Sequence, residues 1–343
     1  MAVILGLESS CDDSAAALVT SDRRILAHVV VGQNDAHRPF GGVVPEIAAR
    51  AHVEILPGLV RRVLDEAGMT IEEVDAVAAT AGPGLIGGVM VALLAGKGLA
   101  LATGKPLIAV NHLEGHALSP RLVDPGIQFP YLLLLVSGGH CQLLEVQGVG
   151  DYRRLATTID DAAGEAFDKA AKLLGLPYPG GPAIEALAAE GDAKAVPLPR
   201  PLVGSTDPHF SFAGLKSAVQ RAVVSDDFAP ADIAAGFQQA VIDCLVDRTG
   251  RALQQSESAT LVVAGGVAAN GAIRTALAKL AADHGRGFNV PPAWLCTDNA
   301  AMIAWAGAER LAAGLTDSLD APARARWPLD EGAERVRGAG IKA

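Results

Sequence analysis

Short apolar runs alternate along this chain with stretches of helical length. Val3–Leu7 predicts a buried strand, small polar residues after it predict a turn, and Ala15–Val19 predicts a second strand. Tyr131–Val136 and Gln142–Val146 repeat this pattern on either side of the turn Ser137-Gly138-Gly139-His140. A repeated strand–turn–strand opening predicts two similar halves with a cleft between them.

Helical and strand-like segments follow each opening. Apolar residues at every fourth position predict a helix over Pro45–Ala67, and these residues are Ile47, Ala51, Ile55, Leu59 and Val63. Further helices are predicted at 86–102, 112–122, 160–174, 182–189, 231–255 and from about 270, and strands at 74–80, 107–110 and 261–264. The alternation predicts an α/β fold with mixed sheets, divided into residues 1–125 and residues 126–343. The second part includes a helical insertion and a C-terminal tail.

Composition and charge limit the binding partners and the cellular compartment that fit this chain. The formal charge of −10 argues against a general polyanion binder, so contact with nucleic acid needs a partner or a local basic patch. The best local candidate is the tail, with Arg324, Arg326, Arg335, Arg337 and Lys342, and a solvated tail is the alternative explanation of these residues. Four cysteines without a CxxC pair favour a reduced, cytoplasmic setting. The apolar stretch 81–103 is interrupted by glycines, a proline and a lysine, which predicts a loop and a buried helix, not a membrane span.

The segment NHLEGH carries a candidate metal site. His112 and His116 are four residues apart, so both imidazoles lie on one helix face, as a transition metal or zinc requires. Asp298, in CTDNAAM, is the best candidate for a third ligand, and a helix N-cap is its alternative explanation. Glu114 lies two residues from each histidine, about 200° around the helix, so it points away from the metal face. This spacing argues against a zinc protease, whose glutamate directly follows the first histidine.

Three glycine clusters favour a nucleotide site. Ser137-Gly138-Gly139, Gly180-Gly181 and Gly265-Gly266 each lie beside a predicted strand or helix start, where backbone N–H groups can approach phosphate. The Walker pattern is absent from the sequence. Asp168 is either a site residue or the partner of Lys172 in a surface pair. Asp12 lies in the first turn, where capping is its alternative role.

Taken together, the motifs resemble those of one family. They are ILGLESSCDDSAAALV, FGGVVPEIAARAH, TAGPGLIGG, NHLEGH, LLLVSGGHCQL, DDAAGEAFDKAAKLLGLPYPGGPAIE, FSFAGLKSAV, LVVAGGVAAN and CTDNAAMIAWAG. In this order they resemble the bacterial tRNA N6-adenosine threonylcarbamoyltransferases, formerly called O-sialoglycoprotein endopeptidases. The likeness runs from about Val3 to Pro328. Cys141 stands where threonine is usual, which removes no ligand.

The resemblance implies a fold and a set of site residues. The fold is the actin-like ATPase (ASKHA) fold, with two duplicated RNase-H-like halves around a nucleotide cleft. The metal ligands are His112, His116 and Asp298, which bind one Fe2+ or Zn2+. The residues that bind the nucleotide-bearing substrate are Leu135, Val136, Ser137, Gly138, Gly139, Asp168, Gly181, Glu185 and Asn270. Asp12 is a candidate general base.

The resemblance also implies a reaction and partners. The threonylcarbamoyl group passes from threonylcarbamoyl-AMP to N6 of the adenosine beside the anticodon, in tRNAs reading codons that begin with A. The partners are tRNA, an inactive paralogous subunit and a small ATPase subunit, without a membrane. Two alternatives are a phosphotransferase of the same fold, which has no need of the histidine pair, and a non-catalytic nucleotide-gated scaffold, which is expected to lose the metal ligands.

Overall fold

A computed structural model describes residues 1–40, 42–334 and 336. They form two compact units that do not follow the chain in simple order. The first unit comprises Met1–Gly126, Val149–Asp151 and Thr297–Glu331. The second comprises Ile127–Gly148, Tyr152–Cys296 and the described residues from Gly332 onward. Residues Thr297–Glu331 lie near the C-terminal end of the sequence but group with the first unit.

Each unit is built on one five-stranded sheet. The strands of the first unit are β1 (Val3–Glu8), β2 (Asp13–Thr20), β3 (Ile25–Gly32), β4 (Ala76–Gly82) and β5 (Leu107–Asn111). Those of the second are β6 (Tyr131–Val136), β7 (Cys141–Gly148), β8 (Asp151–Thr157), β9 (Thr260–Ala264) and β10 (Gly287–Asn289). The helices are α1 (Asn34–His37), α2 (Pro45–Ala67), α3 (Ile86–Thr103), α4 (His112–Val123), α5 (Ala163–Leu173), α6 (Gly180–Ala188), α7 (Ala213–Ser225), α8 (Pro230–Gln255), α9 (Gly271–Asp283), α10 (Ala293–Cys296) and α11 (Ala300–Ala312).

The two sheets have the same topology. The first runs in the order β3-β2-β1-β4-β5 and the second in the order β8-β7-β6-β9-β10. In each, the opening strand pairs antiparallel with the next strand of its hairpin and parallel with a later strand, β4 or β9. The prediction of a duplicated mixed α/β architecture is therefore confirmed.

The central strands are apolar because helices cover them. All six residues of β1 and of β6 are buried. Helix α11 packs against β1, β2 and β4 of the first unit. The contact is close at Gly6, where an added Cβ would lie 2.4 Å from the carbonyl oxygen of Ala300. Only glycine lets strand and helix approach to this distance.

The helix predicted over Pro45–Ala67 is confirmed as α2, although its row of apolar residues is not its buried face. The prediction that residues 86–102 form a buried helix is wrong. In α2, the buried residues are Ala48, His52, Leu56, Leu59, Val60 and Val63, so the row of Ile47, Ala51 and Ile55 lies beside the core. A strict spacing of four drifts around a helix that has 3.6 residues per turn. Helix α3 is not wholly buried, since Ile86, Met90, Leu94 and Leu101 are 45–70% exposed.

Helix α3 also meets the length and composition of a membrane span, with a mean hydropathy of 1.7 and one third of its residues buried. A single helix of this kind is weak evidence, because a core helix of a soluble protein can pass the same test. In the first unit α3 packs against β4 and α2.

Candidate functional site

The first unit presents the histidine pair at the junction of β5 and α4. Strand β5 is wholly buried, and Asn111, its last residue, is the N-cap of α4 because its side chain accepts a hydrogen bond from the Leu113 N–H. His112 is the first residue of α4, and His116 lies one turn further on. The Asn111 side chain also donates to the carbonyl of Trp327 at 3.0 Å. The Asn111 side chain thus links the start of α4 to the backbone at Trp327.

The three proposed ligands converge within the first unit. The Nε2 atom of His112 lies 3.4 Å from Asp298 Oδ1, and that of His116 lies 3.2 Å from the same oxygen. One ligand atom from each residue falls within 4.8 Å of the other two. Two ligands about 2.1 Å from one tetrahedrally coordinated ion are about 3.4 Å apart, so these separations suit a single small cation. His112, His116 and Asp298 therefore form a group that can hold a divalent metal ion.

Asp298 is not the cap of α11. The neighbouring Asn299 fills that role, since its side chain accepts from the Met302 N–H at 2.9 Å. The Asp298 carboxylate is left facing both imidazoles and is about one-quarter exposed. Burial alone would raise the pKa of Asp298, but the attraction of His112 and the hydrogen bonds from both histidines lower it well below its usual value. Asp298 is thus held as an anion, the form that binds metal.

Glu114 is turned away from this group, as its spacing predicts. Its carboxylate accepts from Arg310 and from the Gly150 N–H, each at 3.0 Å. It is buried in these contacts on the other side of α4. The structure therefore also opposes a zinc-protease arrangement.

The turn between β1 and β2 adds further acids to the first unit. Asp12 is partly exposed, and its side chain hydrogen-bonds the Cys11 thiol. Burial, followed by the charges of Asp298, Asp12 and Glu8, raises the pKa of Asp13 to about 7. Burial and the neighbouring anions both disfavour the charged form of this carboxyl group.

Glu8 is a site residue that the sequence reasoning did not select. It ends β1, is completely buried and lies 2.9 Å from Nδ1 of His112. Burial alone would raise the pKa of Glu8, but attraction to His112 and its hydrogen bond outweigh burial and lower it. The available signal was a charged residue at the end of an otherwise apolar strand.

The second unit places the first glycine cluster in the turn between β6 and β7. Leu135 and Val136 belong to β6 and have buried side chains, so only their backbone can reach a ligand. The turn is closed by bonds from the Ser137 N–H to the His140 carbonyl and from the His140 N–H to Ser137 Oγ. An added Cβ at Gly138 or Gly139 would meet no atom within 4 Å. These two glycines therefore present open backbone.

The remaining predicted nucleotide residues join helix N-termini of the second unit. Asp168 accepts from the Gly180 N–H at 2.8 Å, which makes it a link between α5 and α6, not a surface partner of Lys172. Glu185 accepts from the Gly271 N–H at 2.7 Å. Asn270 caps α9, and its amide donates to Gln238, a residue that the sequence reasoning missed. An added Cβ at Gly181 would also meet open space.

Comparison with known proteins identifies the family. The family model described as tRNA N6-adenosine threonylcarbamoyltransferase matches residues 24–305. The chain belongs to this family. It is similar over its whole length to the tRNA N6-adenosine threonylcarbamoyltransferases of Sphingopyxis alaskensis, at 74% identity over 344 residues, and Novosphingobium aromaticivorans, at 66% over 350 residues. Each alignment covers the complete relative. As a member of this family, the chain is a transferase that modifies tRNA.

Solved structures of low sequence identity agree on the fold. Full-length HypF in its phosphate- and nucleotide-bound form has a TM-score of 0.60 at 13% identity, over 92% of this chain and 46% of that chain. Component A of the (R)-2-hydroxyglutaryl-CoA dehydratase of Acidaminococcus fermentans has a TM-score of 0.56 at 18% identity, over 91% and 100%. At such identities these neighbours show the fold alone, and it is of the actin-like ATPase type.

Proposed function

We propose that the chain transfers the threonylcarbamoyl group from threonylcarbamoyl-AMP to N6 of the adenosine adjacent to the anticodon, in tRNAs reading codons that begin with A. The observation that carries the proposal is the family match over 24–305 in a chain whose first unit also holds a His–His–Asp group suited to a metal. Anticodon-loop bases are unpaired and can be presented to an enzyme.

The proposed metal is Fe2+ or Zn2+, with His112, His116 and Asp298 as ligands. Two imidazoles and a carboxylate suit both ions. When bound, such a metal supplies Lewis acidity toward oxygens of the donor, which is an activated mixed anhydride. The first unit's own residues contribute an anionic ligand in Asp298 and a rigid helix start at Asn111.

The second unit is proposed to bind the adenylate donor. The open backbone at Gly138, Gly139 and Gly181 supports this role, because N–H groups without side-chain cover can approach phosphate or developing negative charge. Asp168, Glu185 and Asn270 support it by fixing the starts of α6 and α9. Ser137, Leu135 and Val136 complete the proposed set through the turn and strand that carry Gly138.

Asp12 is proposed as the general base that accepts the N6 proton. Asp12 is partly exposed in the β1–β2 turn, which supports this role. It also lies in the same group of acids as the proposed ligand Asp298, since the charges of both raise the pKa of Asp13. An Asp12→Asn variant is expected to retain metal and donor binding and to lose transfer activity. Unchanged activity would remove Asp12 from the reaction.

The proposed partners are tRNA, a paralogous inactive subunit and a small ATPase subunit, in the cytoplasm. The exposed apolar residues of α3 support a protein partner. Two of them, Met90 and Leu94, line a groove of about 550 Å³ in the first unit together with Val53, Leu56 and neighbouring residues of α2. Exposed apolar surface of this kind marks interaction sites.

Reconstitution tests the whole proposal. Purified chain is combined with tRNA, threonine, bicarbonate, ATP and the partner subunits, and the digested tRNA is analysed by nucleoside mass spectrometry. Threonylcarbamoyladenosine is expected only when the chain is present. The control is the His116→Ala variant, whose folding is checked by circular dichroism and which is expected to give no product. Phosphoryl transfer from ATP to a small acceptor without tRNA product would favour the phosphotransferase.

A further inference from the structure

We propose that Glu8 is a positioning residue of the metal centre, which holds the His112 ring so that Nε2 faces Asp298. The inference rests on the proposed metal centre and adds a residue to it. His112 Nδ1 donates to Glu8 Oε2 at 2.9 Å, while Nε2 of the same ring lies 3.4 Å from Asp298 Oδ1. One imidazole thus bridges the carboxylate of β1 and the carboxylate that precedes α11.

The Glu8 carboxylate is itself fixed in place. Thr80 Oγ1 donates to Oε2 and the Ser10 N–H donates to Oε1, both at 2.6 Å. The side chain is completely buried. A carboxylate bonded from three directions has one orientation, so the ring that donates to it has one orientation as well.

Of the groups that bond to the Glu8 carboxylate, only His112 can carry a positive charge. Thr80 and the Ser10 N–H are neutral donors, so neither balances the charge of Glu8. The only ion pair that the described part of the chain gives Glu8 is with His112. A buried charge destabilises the fold unless it is paired, so the charge of Glu8 indicates a role at its partner His112. Histidines that bind metal commonly donate their other N–H to a carboxylate, which fixes the ring and strengthens the ligand.

The two histidines of the group are held unequally. Within residues 1–40, 42–334 and 336, the buried Nδ1 of His116 has no hydrogen-bond partner. His112 is therefore the anchored ligand, and its anchor is Glu8. The Ser10 hydroxyl lies 3.1 Å from the same Nδ1 and is the competing anchor.

Titration with Co2+ alone tests the inference in the full chain. Glu8→Gln keeps the shape of the side chain and removes its charge. We expect it to bind Co2+ about 10- to 100-fold more weakly than the original chain, with an altered visible spectrum of the bound ion. The matched control is Glu114→Gln, another buried glutamate beside the same two histidines, whose contacts are with Arg310 and Gly150. It is expected to leave affinity and spectrum unchanged.

Each outcome has a distinct meaning. Equal affinity and spectrum in Glu8→Gln and the original chain overturn the inference while leaving the metal centre standing. A full loss in Ser10→Ala, with none in Glu8→Gln, assigns the anchor to Ser10. Absence of Co2+ binding by the original chain contradicts the metal centre itself.

A second variant keeps the test open if Glu8→Gln does not fold. Thr80→Val removes one hydrogen bond to Glu8 and touches neither histidine directly. The expected loss of Co2+ affinity is about fivefold, corresponding to one hydrogen bond. An unchanged affinity in folded Thr80→Val would count against Glu8 as the anchor.

Discussion

At the scale of single residues, the two histidines of α4 lead to different expectations. His116 makes a contact with Asp298 through Nε2, and its Nδ1 is without a partner in the described residues. His112 bridges Asp298 and the buried Glu8. Removing His116 removes a ligand, its contact with the partly exposed Asp298 and its edge contact with the His112 ring. Removing His112 also leaves the Glu8 carboxylate buried without its cation, which destabilises proteins strongly.

The first prediction compares His116→Ala with His112→Ala. Both variants are expected to lose metal binding and transfer activity. Metal-free His112→Ala should melt several degrees lower than metal-free His116→Ala, because only His112 pairs with the fully buried Glu8. Metal analysis and thermal unfolding in the presence of a chelator measure the two effects. Normal metal content in either variant would contradict the ligand assignment.

The histidine pair was predictable because it depends on local geometry. Residues four apart on a helix share a face whatever the rest of the chain does. Asp298 is 182 residues from His116, so the sequence could offer it only as the best candidate for a third ligand, with a helix N-cap as its alternative explanation. The role of Glu8 could not be predicted. Its contact with Thr80 depends on the pairing of β1 with β4, and the sequence does not show which strands pair.

At the scale of elements, the packing of α11 on β1 sets the position of Asp298. A Cβ on Gly6 would lie 2.4 Å from the Ala300 carbonyl and 2.6 Å from the Ala304 nitrogen, both backbone atoms of α11. Backbone cannot rotate away as a side chain can, so Gly6→Ala must shift the helix. Asp298 lies two residues before that helix begins.

The second prediction is that Gly6→Ala destabilises the chain by about 1–3 kcal/mol and weakens metal binding. Gly98→Ala is the matched control, since its Cβ would meet open space on the exposed side of α3. It should be neutral or stabilising by up to about 1 kcal/mol, because alanine favours helix. Denaturant unfolding and metal titration of both variants provide the measurements. Equal effects of the two substitutions would show that the close contact does not matter.

A buried histidine joins four backbone segments of the first unit. His52, on α2, donates from Nε2 to the Cys11 carbonyl, and its Nδ1 accepts from Ser14 at 2.7 Å and from Gln33 at 3.2 Å. Burial lowers the pKa of His52 below its ordinary value of 6.5, although the Cys11 carbonyl and nearby acids, Glu8 and Asp12, oppose that shift. The neutral ring is thus the form that fits the fold.

The third prediction concerns pH and follows from that shift. Below pH 6.5 the unfolded chain binds a proton at His52 that the folded chain does not, so stability falls as pH falls toward the folded-state pKa. His52→Gln cannot titrate. Its melting temperature, measured without metal, should therefore fall less than that of the original chain between pH 7.5 and pH 5. Histidines outside this hydrogen-bond network contribute equally to both proteins and cancel in the difference. A constant gap across this range would contradict the prediction.

At the scale of the whole molecule, the alternation of segments was enough to predict two mixed α/β halves. The helix and strand periods are local properties and survive whatever the tertiary arrangement is. The return of Thr297–Glu331 to the first unit was not predictable in the same way. Its evidence lies in long-range contacts, such as the Arg324 N–H with the Ala81 carbonyl at 2.8 Å, which leave no periodic pattern.

The fourth prediction concerns the apolar face of α2 and α3. Met90 and Leu94 are 45% and 56% exposed beside Val53, so a charge there should weaken association with the proposed paralogous subunit without unfolding the chain. Leu94→Glu is expected to reduce binding at least tenfold in calorimetry or sedimentation. Val224→Glu is the control, since Val224 is 77% exposed on α7 of the second unit. Equal binding by both variants would move the partner to another surface.

The basic tail is now divided by the structure into residues with different expected roles. The Arg324 guanidinium pairs with Glu331 at 2.9 Å and lies 4.7 Å from the centre of the Trp327 ring. It therefore belongs to the packing of the first unit. Arg326 is exposed, whereas Arg335 and Arg337 lie outside the described residues.

The last prediction is that tRNA binding depends on Arg326 more than on Arg324. Because the chain carries a formal charge of −10, its own tRNA affinity should be weak and should fall steeply with salt. Arg326→Ala should weaken tRNA binding and lower the slope of log affinity against log salt by about 1, the value for one lost phosphate contact. Arg324→Ala should instead lower thermal stability. Donor affinity should be unchanged in Arg326→Ala, because the proposed donor residues lie in the second unit.

If Arg326, Arg335 and Arg337 can all be replaced without loss of tRNA affinity, the tail has no role in binding. The search then moves to Lys216, Arg153 and Arg154, of which Arg153 is already paired with Glu145 at 2.7 Å.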